Sequence, residues 1–143
     1  MTVRAILNRK GNDVVTIGPT ETIAQAAALL AKHRIGAVPV VDTTGRIDGI
    51  LSERDIVRLL TEGGSTVLSV QVHLIMTRTV FICSEKNTVT YVMEKMTSGK
   101  YRHMPVVDGG LLVGIISIGD VVKHRIEQIE HEAKKMREYI SNA

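Results

Sequence analysis

Two stretches of the chain share one arrangement: Gly49-Ile50-Leu51-Ser52-Glu53-Arg54-Asp55 and Gly114-Ile115-Ile116-Ser117-Ile118-Gly119-Asp120. In each stretch a glycine opens a short apolar run, a serine ends it, and an aspartate follows three residues after the serine. This order predicts a strand, then a serine N-cap, then a helix whose third residue closes a capping box. In a single stretch, helix capping alone would explain the serine and the aspartate. Two copies in matching contexts also predict two exposed helix N-termini, whose amides attract anions.

The rest of the chain follows the same repetition. The glycine, serine and aspartate of the two stretches are each 65 residues apart, whereas Pro39 and Pro105 are 66 residues apart. The additional residue falls in a turn, because Thr43-Thr44-Gly45 corresponds to the shorter Gly109-Gly110. Hairpin turns tolerate such a change of length. The repetition therefore predicts one structural unit built twice.

Each unit predicts the order β-α-β-β-α, so we expect an α/β (α+β) fold with two repeats related by pseudo-twofold symmetry, plus a C-terminal helix. The first repeat spans residues 10–70 and the second 76–133, and an extended amphipathic helix covers 121–141. Each half has roughly 60 residues, too few to cover its own sheet, so the halves should share an interface. The predicted strands are 14–17, 37–41 and 47–51 in the first repeat and 79–82, 103–107 and 111–116 in the second.

Composition excludes several classes of protein. The 143 residues are 44% apolar, with one phenylalanine and no tryptophan, which suits one compact domain with a small-aliphatic core. Lysine and arginine exceed aspartate and glutamate by 18 to 15, and their dispersal argues against binding to DNA or RNA. The lone Cys83 excludes an internal disulfide framework. No segment suits a signal peptide or a membrane span, so we expect a cytoplasmic protein.

The repeated unit resembles a known family. Two units with apolar-x-Pro-Val-Val-Asp, a turn and Gly-apolar-apolar-Ser-x-x-Asp look like a tandem pair of cystathionine-β-synthase (CBS) domains, called a Bateman module. The resemblance covers nearly everything from Val14 to Val122. It implies two clefts that bind adenine nucleotides: AMP, ADP, ATP, and sometimes NAD(H) or S-adenosylmethionine. It also implies regulation of a partner without catalysis, and the sequence carries no hydrolase or phosphate-loop motif that would indicate an enzyme.

The resemblance places the second cleft around Ser117 and Asp120. Asp120 is implied to accept hydrogen bonds from the ribose hydroxyls, and a carboxylate, which only accepts, suits a diol. Arg102 and His103 stand where the first repeat has glycine and alanine, so we expect the phosphate there. The alternative is that Arg102 caps a helix or pairs with a surface carboxylate. The other residues implied for this cleft are Thr79, Val80, Phe81, Tyr101, Met104, Pro105, Ile118 and Gly119.

The first cleft is implied around Ser52 and Asp55, so its ribose site is intact in sequence. Arg54 lies on the first helical turn, where it either contacts a phosphate or stays exposed. Because the two clefts differ on the phosphate side, we expect unequal affinities, or one extended ligand such as NAD(H) that favours one cleft. The residues expected to line the base are Thr16, Ile17, Val38 and Pro39, and Ala37 is also assigned to this cleft.

The C-terminal helix carries apolar residues at alternating spacings of four and three: Val122, Ile126, Ile129, Ala133, Met136 and Ile140. This heptad seam, as we call these six residues, fits packing against another helix, so we expect a homodimer. The alternative is that the seam folds back on the chain's own sheet. His124 and His131 also lie seven residues apart, but without a third ligand they predict no metal site.

These observations favour a stand-alone regulatory nucleotide sensor with a bound AMP, ATP or NAD(H), no catalytic cofactor and an unknown regulated protein. One alternative is a constitutive dimerisation or scaffold module with vestigial clefts. A third class, a nucleic-acid-binding regulator, is the one that the dispersed charge supports least.

Overall fold

The computed structural model describes residues 1–78 and 80–142. The described part contains two β-hairpins, each followed by a helix, as the repeated unit predicts. A helix that the sequence analysis did not assign precedes the first repeat. The elements are α1 (Val3–Lys10), α2 (Ile23–His33), β1 (Ala37–Val41), β2 (Ile47–Ser52), α3 (Glu53–Gly63), α4 (Val89–Gly99), β3 (His103–Asp108), β4 (Leu111–Ser117) and α5 (Ile118–Ser141). Two short 3-10 helices, Gly64–Ser69 and Val72–Leu74, connect α3 to the second repeat.

The first predicted strand of each repeat is much shorter than expected. Ile17 forms a single parallel bridge with Val40, and Cys83 forms the matching bridge with Val106. The prediction of strands at 14–17 and 80–82 is therefore wrong, and Thr79 lies outside the described residues. To extend these parallel ladders toward the N-terminus, the next donors on β1 and β3 would be the amides of Pro39 and Pro105, and a proline has no amide hydrogen.

The two hairpins pair as the sequence repetition requires. Ala37 lies opposite Ser52 in the first hairpin, and His103 lies opposite Ser117 in the second. Each hairpin has an irregularity in its pairing just after the residue that follows the proline, between Val40 and Val41 in β1 and between Val106 and Val107 in β3. The equivalent register places each serine at the end of its strand, so that the following helix starts beside the first residue of the proline strand.

Both serines cap their helices as predicted. The Ser52 hydroxyl accepts from the Asp55 amide at 3.2 Å, while the Asp55 carboxylate accepts from the Ser52 amide at 3.2 Å. The same reciprocal pair joins Ser117 and Asp120, at 3.1 and 2.9 Å. The capping boxes are confirmed, and each fixes an aspartate at the point where a strand becomes a helix.

Each repeat has its own apolar core, and each core is completed by a segment that precedes the other repeat. Leu7 of α1 is buried in the core of the second repeat, whereas Val72 is buried in the core of the first. Glycines make both exchanges possible. A Cβ on Gly114 would lie 2.8 Å from Leu7, and one on Gly49 would lie 2.7 Å from the Thr77 carbonyl. Because each repeat's core includes residues from the segment that precedes the other repeat, the two halves form one pseudo-symmetric body.

The heptad seam of α5 lies in solvent. Of this helix, Val121 and His124 are buried, whereas Ile126 and Ile129 are each half-exposed and Ile140 is 67% exposed. The alternative that the seam folds back on the chain's own sheet is therefore wrong. Among the described helices, none combines the length and the apolar character that crossing a bilayer requires.

Candidate functional site

A cavity of about 350 Å³ opens between the two repeats. Residues from the junction of β2 and α3 form one side, and the segment that leads into β3 forms the other. The cavity thus unites residues that the sequence analysis had assigned to two separate clefts. Those lining residues are Ala37, Ser52, Arg54 and Asp55 of the first predicted cleft, and Val80, Phe81, Tyr101, Arg102 and His103 of the second.

Asp55 supplies the carboxylate of this cavity. Its Oδ2 accepts the Ser52 amide, and its Oδ1 lies 3.4 Å from the Arg58 guanidinium, one turn further along α3. The Asp55 side chain is 18% exposed, so the carboxylate is sheltered but remains accessible from the cavity. A carboxylate held in this way presents acceptors to a ligand's hydroxyl groups.

Basic residues face Asp55 from the second repeat. Lys100 adopts a left-handed conformation as it ends α4, with φ 58°, and Arg102 follows two residues later. The Arg102 side chain is exposed, while its carbonyl accepts the Ile118 amide at 2.8 Å. Its backbone is therefore fixed and its guanidinium is available to an anion. In the first repeat the equivalent carbonyl is that of Gly36, which accepts the Glu53 amide at 3.0 Å.

His103 lies at the contact between the repeats. Burial lowers the pKa of His103 and the charges of Lys10 and Arg102 lower it further, which together outweigh the opposing influence of the Asp120 and Glu53 carboxylates. The imidazole is therefore neutral near pH 7. A Cβ on Gly36 would lie 3.2 Å from the ring of His103, so this glycine permits the close approach of the two repeats.

An aromatic pair forms another wall of the cavity. The rings of Phe81 and Tyr101 stack with centroids 4.4 Å apart and an interplanar angle of 28°. Phe81 is 46% exposed, although a phenylalanine normally loses that surface on folding. A stacked pair that lines a cavity offers a flat apolar surface to a planar ring.

Asp120, the second predicted carboxylate, does not line this cavity but is held by the N-terminal helix. Lys10 donates to Asp120 Oδ2 at 2.6 Å and to the Ile115 carbonyl at 2.9 Å. Burial alone would raise the pKa of Asp120, but hydrogen bonds from Lys10 and Ser117 lower it below its usual range. Lys10 was not predicted from the sequence, because a contact across 110 residues leaves no local pattern.

Several residues predicted to contact the base lie in the cores. Val38 and Met104 are fully buried in the two separate cores, because β1 and β3 are covered on both faces. Five of the residues predicted to contact the base are buried: Ile17, Val38, Pro39, Met104 and Pro105. Thr16 is half-buried and does not line the cavity between the repeats. Ile118 and Gly119 are exposed at the start of α5. Thr79 is not among the described residues.

The described residues contain no group of three or more histidine, cysteine, aspartate or glutamate side chains that would hold a metal ion. Cys83 is buried, and burial raises the pKa of its thiol to about 12. A thiol with this pKa is almost entirely protonated at neutral pH and therefore unreactive. The cavity between the repeats thus remains the candidate site.

The CBS domain family model matches residues 3–62 and 71–127, in agreement with the doubled unit. The chain belongs to the CBS domain family. It is 47% identical to a CBS-domain-containing protein from Agrobacterium tumefaciens. The two structures align over 87% of this chain and 99% of that protein, with a TM-score of 0.83.

Two further comparisons define the relationship. A CBS domain pair solved in complex with 5′-methylthioadenosine and S-adenosyl-L-methionine is 29% identical, with a TM-score of 0.80 over 90% of this chain and 98% of that one. An uncharacterised protein of Methanopyrus kandleri is 32% identical over 130 residues, which are 88% of this chain and 66% of that protein. This CBS pair therefore spans about two thirds of that longer relative.

Proposed function

We propose that this CBS pair is a regulatory sensor of an adenine nucleotide, namely AMP, ATP or NAD(H), and that it acts in signal transduction through a partner or a change of oligomer. One observation carries the proposal. The cavity between the repeats brings the capped Asp55 carboxylate of one repeat to the basic segment Lys100–His103 of the other. Hydroxyl acceptors and phosphate donors thus face one another across a space of about 350 Å³, within the range of small-molecule sites.

Each wall of the cavity has side chains that suit one part of the nucleotide. The Asp55 carboxylate accepts hydrogen bonds from the ribose diol. The Arg102 guanidinium and the Lys100 ammonium contact the phosphate, which the planar fork of arginine binds through two parallel hydrogen bonds. The stacked rings of Phe81 and Tyr101 lie against the base. The CBS pair solved with two adenosine-containing ligands supports this ligand class.

Binding between the repeats also supplies a mechanism for sensing. A ligand that contacts Asp55 and Arg102 together favours the arrangement in which both can reach it. It shifts the packing of the two repeats only as far as its affinities for the two arrangements differ. CBS pairs are regulatory modules, and the changed packing is the signal that a partner reads.

A second proposed element is a homodimer through the heptad seam. The exposed fractions of Ile126, Ile129, Met136 and Ile140 are 50% or more, and residues of this kind repeat along one face of α5. Two such faces bury each other in a coiled coil. In the alternative scaffold function this dimer would exist without any nucleotide. A cytoplasmic location suits the buried, unpaired Cys83.

Calorimetric titration with AMP tests the sensor. The Asp55→Ala variant should bind AMP at the cavity at least about tenfold more weakly, because a hydrogen bond to a charged group is worth about 1.5–3 kcal/mol. Gln25→Ala is the matched control, since Gln25 closes the capping box of α2 away from the cavity. If wild-type protein binds neither AMP, ATP nor NADH, the proposal is wrong and the scaffold function stands.

A further inference from the structure

Asp120 faces a second cavity, of about 220 Å³, that lies between α1 and α5. Its polar lining consists of three basic residues, one histidine and two carboxylates: Arg9, Lys10, Lys123, His124, Asp120 and Glu127. We call this space the basic cavity. It is distinct in its lining residues from the cavity between the repeats, which contains none of these six.

The charges of the basic cavity leave one cation in excess. Lys10 pairs with Asp120 at 2.6 Å, and Arg9 forms an ion pair with Glu127 that lacks hydrogen-bond geometry. Both carboxylates are thus already neutralised by α1, and Lys123 adds a further positive charge. An anion that enters the cavity meets a positive surface.

His124 provides an independent sign of a ligand. Its side chain is only 5% exposed, yet neither ring nitrogen has a hydrogen-bond partner among the described residues. Buried polar groups are almost always hydrogen-bonded, so an imidazole that lines a cavity without a partner marks a place for a polar group of a ligand. Imidazole N–H donates well to a phosphate oxygen.

The position of Asp120 indicates which phosphate would enter. Within the described part of the chain, its hydrogen bonds from Lys10 and from the Ser117 amide all fall on Oδ2, which leaves Oδ1 for a ribose hydroxyl. In dinucleotide sites an acidic residue binds the ribose 2′ hydroxyl, and a nearby cation accommodates a phosphate at that position. Asp55 differs, because its ion pair is with Arg58 of its own helix.

We propose that the basic cavity binds a phosphate group on the 2′ or 3′ oxygen of a ribose held at Asp120, so that the site at Asp120 takes a 2′- or 3′-phosphorylated adenine nucleotide. This inference rests on the proposed adenine-nucleotide binding and deepens it. On binding, the Lys10 ammonium turns from Asp120 to the phosphate, and His124 donates its ring N–H to the same group. Lys10 and His124 thereby determine the specificity of the site at Asp120, while the cavity between the repeats takes a ribose with both hydroxyls free.

The test uses calorimetry on the Asp55→Ala protein, in which the cavity between the repeats has lost its carboxylate. It compares 5′-AMP with adenosine 2′,5′-bisphosphate and with adenosine 3′,5′-bisphosphate, which differ from AMP by one phosphate at a known position. We expect at least one bisphosphate to bind about tenfold more tightly than AMP. Bisphosphates that bind no more tightly than AMP would overturn the inference.

Variants connect the preference to the basic cavity. In the Asp55→Ala protein, a further substitution Lys10→Met or Lys123→Met should reduce the ratio of bisphosphate affinity to AMP affinity toward one. The substitution Arg4→Met should leave this ratio unchanged. Arg4 is the matched control, because it lies on the same helix and pairs with Glu85 instead, at 3.2 Å. A preference that survives both lysine substitutions would overturn the inference.

The remaining outcomes separate this inference from the function it rests on. If wild-type protein binds AMP but the Asp55→Ala protein binds none of the three compounds, the site at Asp120 binds no adenine nucleotide. The inference is then overturned, and the sensor function stands on the cavity between the repeats alone. If wild-type protein binds no adenine nucleotide at all, both proposals fail together.

Discussion

His103 shows how a single side chain reports on the contact between the repeats. It lies in the cavity wall beside Gly36 of the first repeat, and charged residues of both halves shift the pKa of its imidazole. Burial, helped by Lys10 and Arg102, lowers its pKa from 6.5. The folded chain therefore holds this ring neutral, and protonation acts against the native arrangement.

The pH dependence of stability tests this role. Because the pKa of His103 is lower in the folded state, the unfolded chain binds the proton first as the pH falls. The stabilisation is fully present above about pH 6.5 and is lost as the pH falls below that value toward the folded pKa. Chemical unfolding of wild-type protein at several pH values should show the loss, and His103→Gln should remove this part of it. Glutamine at the exposed His33 is the control, and an equal slope in wild type and His103→Gln would contradict the assignment.

Spacing along the chain predicted the residues that act locally. Ser52 with Asp55 and Ser117 with Asp120 were predicted from a three-residue interval, and both pairs form capping boxes. Lys10 was not predicted, because its contact with Asp120 depends on where α1 packs and not on any neighbour in sequence. Periodicity and capping motifs predict one helix or strand at a time. A site that forms between elements can be predicted only when their packing is known.

At the scale of elements, α1 is the part that the repeat pattern did not reveal. Its backbone is tied to the second repeat by the hydrogen bond from the Val3 amide to the Asn87 carbonyl, at 2.9 Å. Its apolar residues then complete the second core. The eight-residue helix is too short to be stable alone, so its stability comes from this packing.

Truncation of Leu7 tests whether α1 belongs to the core. Leu7 is 1% exposed, and its methyl groups lie against Gly114. Leu7→Ala should lower the free energy of unfolding by about 2–5 kcal/mol, through lost burial and the cavity left behind. The matched control is Leu74→Ala, because Leu74 is 67% exposed and its loss should change stability by about 0.5 kcal/mol or less. Equal effects of the two substitutions would show that α1 does not pack as described.

The first strands show the limit of reading elements from apolar runs. Val14-Val15-Thr16-Ile17 has the composition of a strand, but Ile17 alone pairs with β1. Its amide donates to the Pro39 carbonyl at 3.1 Å, and its carbonyl accepts the Val41 amide at 3.0 Å. The length of a strand depends on how much of its neighbour's edge is available, which composition does not encode.

For the whole molecule, the exposed heptad seam predicts a homodimer. Replacing Ile129 and Met136 together by aspartate places charges in the centre of the seam and should convert the dimer to a monomer in sedimentation velocity. Burying a large apolar side chain completely contributes about 1.5–3 kcal/mol, so packing the seam against a second copy would favour association. The control replaces Lys135 and Glu138 by glutamine, at exposed heptad positions away from the seam, and should remain a dimer. Wild-type protein that sediments as a monomer would contradict the predicted dimer.

The central claim for the whole molecule is that two capped carboxylates bind the ribose of adenine nucleotides. The measurement that tests it most directly is the calorimetric titration of the Asp55→Ala/Asp120→Ala double variant with AMP, beside wild type and the Gln25→Ala control. Wild type and control should bind AMP, and the double variant should bind it at least about tenfold more weakly. A folded double variant that binds AMP with the affinity and stoichiometry of wild type would contradict the account.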